Sequence, residues 1–142
     1  MSVEPLAVIP VARQVQWNGI SGPVVSGWID SLQATAHYGA LFSADPFSIT
    51  PPSSVEVGGA LYSRQDATGL WDRIGLSVIR LNTALVWRNL APGTSIAAVG
   101  FMDSPFGTMG MLHRAMLDDA VSFPAGGTWV LPAGEYSAGI DL

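Results

Sequence analysis

Asp103-Ser104 and His113 lie close together in this chain, with a second histidine, His37, far upstream. A serine, an imidazole and an acid are the parts of a nucleophilic site, in which the ring takes the hydroxyl proton. Ser104, however, stands directly before Pro105, and the glycine pattern of a nucleophile elbow is missing around it. That stretch reads as turn chemistry. Asp66 with Asp72, and Asp118 with Asp119, offer the paired carboxylates of glycoside hydrolysis. Asp118-Asp119 reads more simply as a turn between strands, where an aspartate bonds its own backbone. His37 and His113 could share a metal, but no spacing brings them together, and no calcium-loop pattern occurs. The glycine-rich pieces VGG (57–59) and PAGG (124–127) lack the Lys-Ser/Thr of a phosphate loop. The expectation is a protein without enzymatic activity, cofactor or metal site.

Aromatic side chains are the remaining chemistry. The chain has five tryptophans, Trp17, Trp28, Trp71, Trp87 and Trp129. Exposed aromatic faces bind sugars, and buried ones anchor cores and subunit contacts. Trp129, on a short strand between two turns, and Trp17, near the N-terminus, are the expected interface residues, with Arg13 beside the latter.

The composition favours contact with neighbours. Only 12 % of the 142 residues are charged and 49 % are hydrophobic, against about 25 % charged in ordinary soluble domains. All six cations are arginine, at positions 13, 64, 73, 80, 88 and 114. Interfaces favour arginine over lysine because the guanidinium is planar and weakly hydrated; an arginine-biased genome would leave the same mark. The net charge of −5 and the absence of a basic stripe argue against a nucleic-acid partner. Apolar runs fall short of the roughly 20 residues needed to span a bilayer. No basic leader precedes the N-terminal apolar stretch, so synthesis in a cytoplasm is expected. There is no cysteine for a disulfide.

The elements that must position these side chains are short. Sixteen glycines and ten prolines divide one domain into brief segments, the pattern of an all-β protein. Residues 1–25 read as an N-terminal arm and 26–142 as the β-sandwich domain. Ser26 is the expected cap of one short helix, with Trp28, Ile29 and Leu32 on its apolar face. Alternation predicts strands over HYGALFS (37–43), 60–66, RIGLSVIRL (73–81), ALVWRNL (84–90) and SIAAVGFMD (95–103). PFSITPPSS (46–54) reads as a loop. MGMLHRAML suits either a strand or a short helix, and the glycines on either side favour strand. Pro-Ala-Gly occurs at 124–126 and again at 132–134, bracketing the short strand TWVL. Proline presets one turn position and glycine supplies positive φ at a later one. Such spacing predicts two corners of a closing meander in an antiparallel, jelly-roll-like sandwich.

The order of several weak motifs resembles a known family. They are Trp28-Ile29-Asp30-Ser31-Leu32, then Ala40-Leu41-Phe42-Ser43-Ala44-Asp45-Pro46, then Glu56-Val57-Gly58-Gly59-Ala60-Leu61-Tyr62-Ser63-Arg64-Gln65. Val99-Gly100-Phe101-Met102-Asp103 and the Pro-Ala-Gly tail follow. Residues 26–142 thereby resemble the small minor tail or tail-fibre-like β-sandwich proteins of tailed phages infecting actinobacteria. The resemblance implies a non-enzymatic virion component, made in the host cytoplasm and assembled with other virion proteins at the tail tip, at the fibre base or as a capsid decoration. A homo-oligomer and a host-surface glycan are further implied partners. It also implies structural roles: Trp28 anchoring the helix, Tyr62 and Arg64 sharing one strand face, and Arg64 pairing with Asp45 or Asp103.

Overall fold

A computed structural model describes residues 11–16 and 22–141. The strands are β1 (Val11–Gln16), β2 (Tyr38–Phe42), β3 (Gln65–Asp66), β4 (Trp71–Ile74), β5 (Val78–Leu81), β6 (Leu85–Leu90), β7 (Thr94–Met102), β8 (Met111–Phe123), β9 (Gly127–Leu131) and β10 (Ser137–Asp141). One helix, α1 (Gly22–Ala34), lies between β1 and β2. The strands form three sheets, in the orders β1-β10-β5-β4, β3-β2-β7-β8 and β6-β9. All described pairings are antiparallel except β1 with β10. The fold is all-β and sandwich-like, and no sheet closes into a barrel among the described residues.

The helix starts at Gly22, so Ser26 lies inside it and is no cap. Proline at position 23 fits the first turn, where the missing N–H has no helical partner anyway. Val25 and Ile29, one turn apart, are fully buried, with Leu32 packed beside them. Trp28 is 41 % exposed, so the deepest burial on α1 belongs to the aliphatic pair. Strand β1, from within the expected arm, forms the edge of the first sheet beside β10.

The central strands β2 and β7 are buried on both faces. Leu41, Val99 and Phe101 enter the main core with Trp71, Ile79, Leu81, Trp87 and Trp129. Ala40, Phe42, Ala98 and Met102 form a second, smaller core on the opposite face, with Val55, Met111 and Met116 against it. The proline-rich stretch 46–54 covers that face. It contains two 3-10 turns, Pro46–Ser48 and Pro52–Val55, whose prolines Pro46 and Pro52 are buried. Gly100 leaves the space that the Met111 and Phe42 side chains fill.

Three strands differ from expectation in their extent. RIGLSVIRL is a hairpin, in which Trp71 pairs with Leu81 and Ile74 with Val78. Gly75, at φ 66°, makes the turn, a conformation open to glycine at little cost. Residues 60–66 contribute only the two-residue β3. MGMLHRAML is strand, and it continues through Asp118-Asp119 to Phe123. Ile96 pairs with Val121 but Ala98 with Met116, so Ala97 alone faces residues 117–120. The two aspartates lie in this bulge and do not form a turn.

Both Pro-Ala-Gly turns are present, with Gly126 at φ 76° and Gly134 at φ 83°. They do not close a meander. Strand β8 pairs with β7, β9 with β6, and β10 with β5 and β1. Each turn therefore hands the chain from one sheet to another.

Candidate functional site

Gly58-Gly59 reverses the chain, with Gly59 at φ 127°. This brings Tyr62 and Arg64 back onto Glu56. The Glu56 carboxylate accepts hydrogen bonds from Tyr62 Oη at 2.6 Å, Arg64 Nε at 3.0 Å and Arg64 Nη2 at 2.8 Å. Tyr62 Oη in turn accepts from the backbone N–H of Leu41 at 3.1 Å. The Arg64 and Glu56 side chains are only 5 % and 11 % exposed. The paired carboxylate raises the Arg64 pKa, and burial followed by the Glu56 charge pushes the Tyr62 phenol far above its usual range. Arg64 and Tyr62 therefore both keep their protons.

Arg64 also reaches the loop between β7 and β8. Its Nη1 donates to the Ser104 carbonyl at 3.1 Å and its Nη2 to the Gly107 carbonyl at 2.7 Å. Ser104 Oγ donates to the Phe106 carbonyl, and Asp103 N–H closes the loop on the Gly110 carbonyl at 2.9 Å. The pinned loop presents Phe106 at 82 % exposure. A hollow of about 510 Å³ lies between Phe106, Pro105, Tyr62, Arg64 and Glu56. Leu61, 69 % exposed, stands just ahead of Tyr62.

The expected partners of Arg64 are thus replaced by Glu56. Asp45 pairs with Arg114, at 3.0 Å from its Nε, and caps the first 3-10 turn through Phe47 N–H. The Arg114 bond holds the Asp45 carboxyl below its usual pKa. Arg114 also lies 4.7 Å over the Phe47 ring, a cation–π contact. Asp103 makes no ion pair with Arg64; its weak field adds to the larger effect of Glu56. Glu56 was visible in the quoted motif, and the Gly-Gly between it and Arg64 was the signal that the two could face each other.

Trp129, expected at an interface, is 1 % exposed inside the chain's own core. It pairs across strands with Trp87, their ring centroids 5.7 Å apart, and a neighbour could not reach it. Trp17 and the Arg13 side chain lie outside the described residues.

His37 and His113, which nothing in their spacing joins, meet in the main core. Their Nε2 atoms are 3.1 Å apart and both residues are fully buried. Strand β7 lies between the strands that follow and carry them, and its Phe101 pairs with His113 on one side and Gly39 on the other. His37 Nδ1 is 2.8 Å from the Thr35 carbonyl, and His113 Nδ1 is 2.8 Å from Tyr136 Oη. Trp71 and Phe101 pack around the rings. Burial lowers both histidine pKa values, so the rings are neutral. No group of three or more metal-ligating side chains occurs among the described residues.

Compared with known proteins, the chain matches no protein-family model and no curated relative.

Proposed function

We propose that this chain is a structural subunit of a larger assembly, and specifically a minor tail or tail-tip component of a tailed-phage virion that works through protein–protein contacts. The observation that carries the reading is Phe106, held at 82 % exposure on a loop that Arg64 pins at two carbonyls. An apolar side chain carried on backbone that is held before contact leaves less of the loop to order on binding, which suits an interface anchor. Leu61 extends the apolar surface, and the charge-poor composition supports the same reading. The virion assignment rests on the motif order of residues 26–142.

Light scattering on the wild type and on Phe106→Ser, followed by pull-down with dissociated virion proteins, tests this. The wild type is expected to self-associate or capture a virion protein, and the variant to lose that contact while melting at the same temperature. A wild-type chain that stays monomeric at high concentration and captures no virion protein would overturn the proposal. Binding of a cell-wall glycan alone would favour host-surface adsorption in its place.

A further inference from the structure

We propose that His37, His113 and Tyr136 form an acid-sensing latch, in which uptake of one proton by the histidine pair unseats Tyr136 and loosens β10 from its sheet.

The direction of each hydrogen bond follows from its end. A carbonyl oxygen only accepts, so His37 Nδ1 carries a proton and donates to Thr35. A neutral imidazole has one donor and one acceptor. His37 Nε2 is therefore the acceptor, and His113 Nε2–H donates to it across 3.1 Å. His113 Nδ1 is left as an acceptor, filled by the Tyr136 hydroxyl at 2.8 Å. Every ring nitrogen is used, and the chain of bonds runs one way from Tyr136 to Thr35.

One added proton can enter only at the two acceptor nitrogens, and either entry costs the Tyr136 hydroxyl its acceptor: at His113 Nδ1 it turns the Tyr136 bond round directly. At His37 Nε2 the proton would set two N–H groups against each other. The conflict is relieved when His113 releases Nε2 and carries its proton on Nδ1 instead. His37 then donates to His113, and His113 donates to Tyr136 Oη. The Tyr136 hydroxyl hydrogen has now lost its acceptor within a fully buried site. The proton comes from water, and no heavy-atom bond changes.

The surroundings give the new charge no support. Trp71 faces the pair from β4 and Phe101 from β7. Thr35 and Thr68 contact His37 from the flanking turns. Arg114, a cation, acts through its field on Tyr136, and no carboxylate acts on either ring among the described residues. Tyr136 directly precedes β10, and its backbone carbonyl holds Leu81 N–H at 2.9 Å. The first rungs of β10 on β5 are Ser137–Arg80 and Ala138–Ile79. Displacing Tyr136 disturbs these first, and β10 also carries β1.

Amide hydrogen exchange of the full chain at about pH 7.5 and about pH 5.5, either side of the free-histidine value of about 6.5, tests the latch. After correction for intrinsic rates, protection of residues 137–141 is expected to fall about tenfold or more relative to β7 at the lower pH. His113→Gln and His37→Gln are each expected to remove that difference. Unchanged β10 protection in the wild type, or an equal loss in folded variants, would overturn the proposal. Nitrogen NMR of the wild-type histidine rings provides a reading without variants. His37 as the Nδ1–H tautomer and His113 as the Nε2–H tautomer at neutral pH are expected, and the opposite assignment overturns the mechanism.

Discussion

Arg64 and Glu56 form a nearly enclosed ion pair with Nη2 and Oε1 2.8 Å apart. The same guanidinium holds two carbonyls of the loop that displays Phe106. One residue therefore joins the packing of the domain to the shape of the most exposed aromatic among the described residues.

Removing either charge alone should be costly. Arg64→Leu or Glu56→Leu leaves the partner charged and poorly solvated, a change that costs about 3–5 kcal/mol. The double replacement should cost clearly less than the sum of the two, because neither charge is then stranded. Urea denaturation of the four proteins measures this. Limited proteolysis supplies a second readout: cleavage within residues 103–110 should accelerate in Arg64→Leu, whose loop has lost two of its ties.

Acid should destabilise the fold through its buried histidines. Both histidine pKa values are lowered in the folded chain, chiefly by burial. Below about pH 6.5 the unfolded chain binds a proton at each histidine more readily than the native chain, whose closed latch resists it. Stability is full above that value and falls as pH drops towards the folded pKa values. The slope approaches about 1.4 kcal/mol per pH unit for each histidine. His113→Gln should roughly halve the slope seen with the pair. Denaturant midpoints measured across this window check it, and a flat profile would contradict the neutral, buried state of the rings.

The two Pro-Ala-Gly turns should respond differently to the same change. Gly126 and Gly134 both have positive φ, which costs a side-chain-bearing residue roughly 1 kcal/mol or more. Open space surrounds the position a Gly134 Cβ would take. At Gly126 the Cβ would run into the backbone carbonyl of Leu90 and approach Pro92 and Ala91. Backbone there cannot swing aside as a side chain can. Gly126→Ala should therefore lower the melting temperature well beyond Gly134→Ala, and equal shifts would refute this close approach.

What the sequence made legible was local. HYGALFS and SIAAVGFMD alternate, and both are strands. ALVWRNL places Leu85 and Trp87 inward as its period implies. The alternation of RIGLSVIRL misled because it runs straight through the hairpin turn, leaving Leu76 54 % exposed at the tip. Asp118-Asp119 resembled a turn because a bulge also takes residues out of the ladder. The sheet assignments of β8, β9 and β10 depended on partners far away, which two identical turns could not specify. The histidine pair was hidden for the same reason. Its members are 76 residues apart and meet only because β7 brings the ends of β2 and β8 together.

The tryptophans offer the clearest reversal of a sequence-based expectation. Trp129 is expected at an interface and Trp28 as the anchor of the helix; Trp129 lies in the core and Trp28 is partly exposed. Trp129 is 1 % exposed against Trp87, while Trp28 is 41 % exposed on α1. Truncating a buried aromatic removes its transfer free energy and leaves a cavity, together about 3–5 kcal/mol. Trp129→Ala should lose that much, and Trp28→Ala substantially less, since much of its ring area already meets water. Ile29→Ala, at a fully buried position on the same helix, should cost about 2–5 kcal/mol. Thermal melts of the three variants give the order directly, and a Trp28→Ala loss as large as that of Trp129→Ala would return the anchoring role to Trp28.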